Sequence, residues 1–206
     1  MKLKHVTIFI VVLLLLDQLL KIWIKTHMSI GEAIIVFPDW FQLRFIENNG
    51  AAFGMQISRS GAFDWGKLIL SLFRVVLISG LVCYLPKMVK KGVHKWVLIP
   101  FAMILAGAIG NMIDSILYGV IFSESTVNSV AHFGGSYAPP LMGKVVDMFY
   151  FPLFQWNSVP RFLSFLVDGN NYFFGAIFNL ADSYISVGVV LFLLFGQQHF
   201  EKKEND

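Results

Sequence analysis

Long apolar runs alternate with short polar links along this chain. Val6 to Ile24 is the first run, and Leu68 to Leu85, Trp96 to Leu117 and Tyr172 to Phe195 follow it. Each approaches the roughly 20 residues that a helix needs to cross a bilayer. The pattern predicts an all-α integral membrane fold of four transmembrane helices, with outer segments over about residues 26–66 and 118–171. The first run starts behind Lys2 and Lys4, as a signal peptide would. Asp17 and Lys21 interrupt it, however, and no small-x-small cleavage site follows before Ser29, so it is read as a retained span.

The outer segments carry patterns of their own. Ala33 to Phe37 is a short apolar run, and Phe41-Gln-Leu-Arg-Phe45 alternates with the period of a strand. Pro38-Asp39-Trp40 between them is turn chemistry, so a small β-hairpin is expected on the outer surface. It leads into Glu47-Asn-Asn-Gly-Ala-Ala-Phe-Gly54, whose small residues allow close backbone approach. In the second outer segment, Ile121 to Met142 is rich in Ser, Gly and Pro and reads as loop. Met148 to Val167 is dense in aromatic residues and contains Pro152 and Pro160. That composition predicts an interfacial segment, because aromatic rings favour the headgroup boundary.

Composition agrees with the hydropathy pattern. Of the 206 residues, 56% are hydrophobic and only 14% charged, with mean hydropathy +0.67. A soluble domain of this length carries far more charge. One membrane-embedded domain spanning residues 1–206 is expected. The lone Cys83 lies in an apolar run and cannot form an internal disulfide. The net charge of +3 matters less than where the lysines fall. Lys2 and Lys4 precede span one, Lys87, Lys90, Lys91 and Lys95 fill the link between spans two and three, and Lys202 and Lys203 follow span four. The positive-inside rule then puts both termini in the cytoplasm and both long segments outside.

Against this background four acids stand out. Asp182 lies inside the fourth apolar run with Asn179 three residues earlier, and Asn111 and Asp114 repeat the spacing at the end of span three. On a helix, such pairs share a face. Gly107 and Gly110 beside them suit close helix contact. Asp147, in Lys144-Val-Val-Asp-Met-Phe149, also has no adjacent cation to pair with it locally. Asp17 lies roughly 18 Å along span one, and Asp182 roughly 15 Å below the outer end of span four, at 1.5 Å per residue. All four therefore fall in the outer half of the membrane. Each taken alone reads as structural glue between helices. Their convergence predicts a shared polar site open to the outer face, since intramembrane acids face a partner or a water-filled cavity.

The chemistry can be narrowed by elimination. No His-Glu-x-x-His is present, and the histidines are scattered. Gly134-Gly-Ser136 is not a nucleophile elbow. A Ser–Lys pair involving Lys144 stays open, although no serine is singled out. Paired aspartates remain: two carboxylates in contact share one proton, so one acts as base and the other as acid. Such a pair activates water against a peptide carbonyl without a cofactor. A proton-coupled transporter using the same acids as a relay is the alternative, and a non-catalytic assembly protein a third.

Asp17-Gln-Leu-Leu-Lys21, Asn48-Asn-Gly-Ala-Ala-Phe53, Gly110-Asn-Met-Ile-Asp114, Val145-Val-Asp147 and Phe178-Asn-Leu-Ala-Asp-Ser183 occur in the order found in lipoprotein signal peptidases. The chain resembles that family along nearly its whole length. The resemblance implies a bacterial inner-membrane aspartyl endopeptidase, without metal or other cofactor. It would cut diacylglyceryl-modified prolipoproteins just before the lipidated cysteine, with Asp147 and Asp182 as catalytic pair. Asp17, Lys21, Asn48, Gly50, Asn111, Asp114 and Asn179 match positions that shape the site or hold substrate backbone. The resemblance further implies a monomer acting on a lipidated substrate in membrane lipid, with no nucleic-acid partner, and inhibition by cyclic peptides of the globomycin type. Two departures stand out. Ser115 replaces the arginine usual after the acid matching Asp114, and the stretches from Asp114 to Asp147 and from Asp147 to Asp182 are longer than typical of the family.

Overall fold

The computed structural model describes residues 1–38, 40–48, 64–160, 164, 167 and 169–196. Gly50 and the small-residue stretch that follows Asn48 lie outside the described residues, as do Asp39 of the predicted turn, Lys202 and Lys203. So do residues 161–163, 165 and 166 of the aromatic segment, and residue 168 beyond it.

Among the described residues, three helices are long and apolar enough to cross a membrane: α1 (Leu3–His27), α2 (Trp65–Lys90) and a run over Lys95–Ile121. The last run comprises α3 (Lys95–Ile113), a π-helical turn at Asp114–Tyr118 and the short α4 (Gly119–Ile121). The fourth apolar helix is shorter than expected. α5 covers Leu180–Leu191, and a π-helical turn at Phe192–Gly196 extends it. The sequence pattern starts this span at Tyr172, but Asn179 is the N-cap and residues 172–178 are not helical. Apolarity from Tyr172 to Phe178 therefore marks a partly exposed approach to the helix rather than its first two turns.

The helices are inside out relative to a water-soluble bundle. On α1 the exposed positions include Ile8, Val11, Leu15, Leu19 and Trp23, whereas the buried face carries Val6, Ile10, Asp17, Lys21 and Lys25. Apolar surface facing outward and charge facing inward suits a lipid solvent. α2 shows the same division lengthwise. Lys67, Ser71, Arg74, Ile78, Leu81, Leu85 and Met88 recur at steps of four and three, so they lie on one face, polar toward the start of the helix and apolar toward its end.

That division runs through the whole bundle. Val6, Ile10, Leu85, Met88, Leu98 and Leu105 pack together at one end, and the polar residues gather at the other. Close contact between α3 and α5 joins the two ends. A Cβ at Gly107 would overlap the Ala181 carbonyl oxygen and lie 2.7 Å from Ile185 Cγ1, while one at Gly188 would lie 2.9 Å from the Pro100 oxygen. Small residues let these two backbones touch.

At the polar end sits a three-stranded antiparallel sheet in the order β1 (Ala33–Phe37), β2 (Phe41–Asn48), β3 (Val145–Tyr150). The predicted hairpin is the β1–β2 pair. β3 is a correction: Met148 to Tyr150, assigned from sequence to the interfacial segment, form the end of a strand that continues from Val145 and is nearly all buried. Phe45, Val146 and Met148 join Ile24, Met28, Tyr118 and Phe122 in a second core beneath the sheet. Beyond Ile121, which ends α4, the stretch to Met142 is loop, as expected from sequence, yet pinned by backbone bonds such as Gly134 N to Ile121 O and Tyr137 N to Gly119 O.

Beyond β3 the chain leaves at Tyr150 and returns at Phe178. Phe149 N donates to Phe178 O at 2.8 Å and Phe178 N to Phe149 O at 3.2 Å, which closes the excursion at its base. Inside it, Trp156 N bonds Asn171 O and Phe173 N bonds Phe154 O, with the Phe154 and Phe173 rings stacked. The closure is what delivers Asn179 and the start of α5 beside β3.

Candidate active site

Two linked polar clusters occupy this end of the bundle. In the first, Lys21 Nζ lies 3.1 Å from Asp17 Oδ2 and 2.8 Å from Asp114 Oδ2, and it donates to Asn111 Oδ1 at 2.8 Å. All three charged side chains are buried. Gln18 Nε2 donates to Asp114 Oδ1 at 2.9 Å and Asp17 Oδ2 at 3.1 Å, and its Oε1 accepts from Tyr118 OH at 3.2 Å. The other Asp17 oxygen accepts from Ala181 N at 2.9 Å, so α1 satisfies a free amide at the start of α5. Gly110 permits this approach, because a Cβ there would lie 2.7 Å from Asp17 Oδ2.

The second cluster centres on Asn179. Its Oδ1 accepts from Asp182 N at 2.9 Å, and Asn179 N donates back to Asp182 Oδ2 at 3.3 Å, which is a capping box. Its Nδ2 donates to Asp147 Oδ1 at 2.7 Å and to Asn111 Oδ1 at 3.1 Å. One amide thus ties together the two carboxylates. Asn48 Nδ2 holds the second Asp147 oxygen at 2.8 Å, and Asn111 Nδ2 holds Asp182 Oδ1 at 2.8 Å. Asn111 also links this cluster to Lys21. β-strand alternation explains the Asn48 contact: Ile46 pairs with Asp147, and Asn48 two residues on points to the same face.

The two carboxylates are not equivalent. Asp147 is buried, whereas Asp182 is half-buried in the first turn of α5. Burial first, and then the charge of Asp182, push the Asp147 carboxyl up to about 7 against the hydrogen bonds from Asn48 and Asn179. A carboxyl poised there can carry a proton at neutral pH beside a partner able to accept one. Among the described residues, no group of three or more His, Cys, Asp or Glu could hold a metal ion.

A model of the family described as Peptidase_A8, signal peptidase (SPase) II, matches residues 9–196. The chain belongs to this family. A lipoprotein signal peptidase of Porphyromonas gingivalis is 44% identical over 194 residues, covering 93% of this chain and 82% of the relative. One from Pseudomonas aeruginosa is 32% identical over 184 residues, covering 89% and 82%. A bacterial membrane enzyme solved by the in meso method at 2.3 Å resolution shares the fold, with a TM-score of 0.64 and 23% identity over 98% of this chain and 92% of that one. Membership makes the chain a membrane-embedded peptidase of the aspartic type.

The structure brings together Asp17, Lys21, Asn48, Asn111, Asp114, Asp147, Asn179 and Asp182, as the sequence suggested, while Gly50 lies outside the described residues. The depth expected for Asp182 needs correction, since it stands in the first turn of α5 rather than mid-span. Two residues were missed. Gln18, which bridges Asp17 and Asp114, shares a motif with residues that were singled out. Arg74 on α2 is the other: its guanidinium feels the charge of Asp182, whereas Ser115 is buried and donates to Asn111 O at 3.2 Å. A cation near the start of α5 thus comes from α2. An arginine within the otherwise apolar run Leu68 to Leu85 was the available signal, because such residues face a polar interior.

Proposed function

We propose that the chain removes signal peptides from diacylglyceryl-modified prolipoproteins, cutting just before the lipidated cysteine, with Asp147 and Asp182 as the catalytic pair. One observation carries this reading: a single buried asparagine binds the Asp147 carboxylate while it caps the helix that holds Asp182. In the reaction the charged member takes a proton from water, and the protonated member gives its proton to the scissile carbonyl oxygen. Collapse of the tetrahedral species then passes a proton to the leaving nitrogen. Asp147, with its raised affinity for a proton, is the acid at the outset, and half-exposed Asp182 is the base.

Asp17, Lys21, Asn111 and Asp114 support this pair from behind, and Asn48 and Asn179 fix the rotation of Asp147. The lysine distribution supports cytoplasmic termini and a site at the outer face. In this reading the chain is one domain and acts as a monomer, and cyclic peptides of the globomycin type block it. Cleavage is tested by gel shift, with purified protein and a precursor in lipidated and unlipidated forms. Processing of the lipidated form alone is expected. Cleavage of both forms, or of neither, contradicts the assignment.

A further inference from the structure

α1 carries a second buried cation outside the catalytic clusters. Lys25 lies one turn beyond Lys21 on the same face and is completely buried. Its Nζ pairs with the Glu47 carboxylate on β2 and donates to Ser125 Oγ at 2.9 Å. Ser125 gives its own proton to Glu47 Oε1 at 3.0 Å, so the hydroxyl accepts from the lysine and donates to the carboxylate. The Tyr137 ring faces the ammonium at 5.0 Å from its centroid, and Lys144 stands 3.5 Å from Glu47 Oε2. Among the described residues, Oε2 itself is buried without a hydrogen-bond partner.

A buried ion pair is weak grounds for stability, because apolar residues of similar volume often do as well. Its place in the sheet points elsewhere. Glu47 pairs with Val146 and Asn48 with Val145, which makes Asn48 the last rung of the β2–β3 ladder. Strand ends fray at little cost. Side chains alternate along a strand, so Glu47 points with Phe45 into the second core while Asn48 points with Ile46 toward Asp147. The opposite jaw of the clamp, Ser125, sits in a connection fixed to the end of α1 by Ile30 N donating to Thr126 O at 3.0 Å.

We propose that Lys25, Glu47 and Ser125 are positioning residues that hold the end of β2 so that Asn48 stays on the Asp147 carboxylate. The proposal rests on the reading of Asp147 as catalytic for its consequence in turnover, although not for its consequence in proton binding. The Asn48 amide favours the ionised form of Asp147, as does the charge of Lys21 on α1, while Asp182 on α5 opposes it. Loosening the clamp weakens the first of these influences alone.

The test uses the full chain carrying Ser125→Ala, with Ser125→Thr as the variant that keeps the hydroxyl. Difference infrared spectroscopy follows the Asp147 carboxyl band, identified by its loss in Asp147→Asn, while kcat and KM are measured on the lipidated precursor. In Ser125→Ala the Asp147 midpoint is expected to move up, toward that of Asn48→Ala. We expect kcat to fall about three- to tenfold with KM changed less than about twofold, as loss of one orienting hydrogen bond implies. Ser125→Thr is expected to restore both. The charge-neutral double variant Lys25→Met/Glu47→Gln should shift the midpoint in the same direction. An Asp147 midpoint at the parental value in both Ser125→Ala and the double variant overturns the proposal, since a merely structural cluster would lower the unfolding temperature alone. A parent that does not cleave would sink the functional reading, and the infrared midpoint would still decide this one.

Discussion

Replacing Lys21 by methionine keeps the reach of the side chain and removes its charge from between two buried carboxylates. In the parent, Lys21 Nζ contacts Asp17 Oδ2, Asp114 Oδ2 and Asn111 Oδ1 at 3.1, 2.8 and 2.8 Å. Without it, Asp17 keeps Gln18 and Ala181 N, and Asp114 keeps Gln18 and Val146 N. Those bonds hold the acids in place but supply no full positive charge. One acid must then be neutralised. Breaking a buried pair by removing one partner costs about 3–5 kcal/mol. Reversible unfolding in mixed detergent micelles, followed by tryptophan fluorescence, measures the loss. The cost should shrink as pH falls below neutrality, because protons then neutralise the acid more cheaply. Lys21→Met/Asp114→Asn, which removes a charge from each side, should show a favourable coupling of about 2 kcal/mol. A loss below about 1 kcal/mol at pH 7, unchanged at pH 5, would refute the claim that this lysine holds two ionised acids.

Three further outcomes follow from the same geometry. Gly107→Ala should cost about 1–3 kcal/mol, because its Cβ would overlap the Ala181 carbonyl, whereas Gly80→Ala, with nothing within 4 Å, should be neutral or stabilising in the same unfolding assay. Ser115→Arg should destabilise by about 1–3 kcal/mol, since Ser115 is buried and a longer side chain overpacks its site. Asp147 holds its proton more tightly folded than unfolded, so its contribution to stability is full below about pH 4 and is lost as pH rises through about 7. Asp147→Asn should therefore flatten the stability profile over that window, as read by unfolding midpoints at successive pH values.

The bundle was legible in the sequence because bilayer-crossing helices announce themselves by length and apolarity. The gathering of Asp17 and Asp114 was legible too, from helical rise along span one and from the position of Asp114 at the end of span three, whereas the depth of Asp182 was not. Two elements were not. β3 was hidden in an aromatic stretch, although Val145 and Val146 before Asp147 are β-branched and suit a pleated, buried strand. The start of α5 was misplaced because apolar residues precede it, and the capping-box pattern Asn179-Leu-Ala-Asp182 was read only as a shared helix face. The same Asn-x-x-Asp spacing serves two ends: at Asn179 it begins a helix, and at Asn111 it leads into a π-helical turn that carries Asp114. Long-range closure at Phe149 and Phe178 brings the two aspartates together, and no local pattern encodes it.

The central claim is that Asp147 and Asp182 do the chemistry, and it is met most directly by turnover of Asp147→Asn and Asp182→Asn on the lipidated precursor. Both proteins are first shown to be folded and to bind the substrate. Each should lose at least about a thousandfold in kcat, because neither asparagine can take or give the proton that the pair exchanges. Either variant that kept more than about a tenth of parental turnover would contradict the paired-aspartate mechanism.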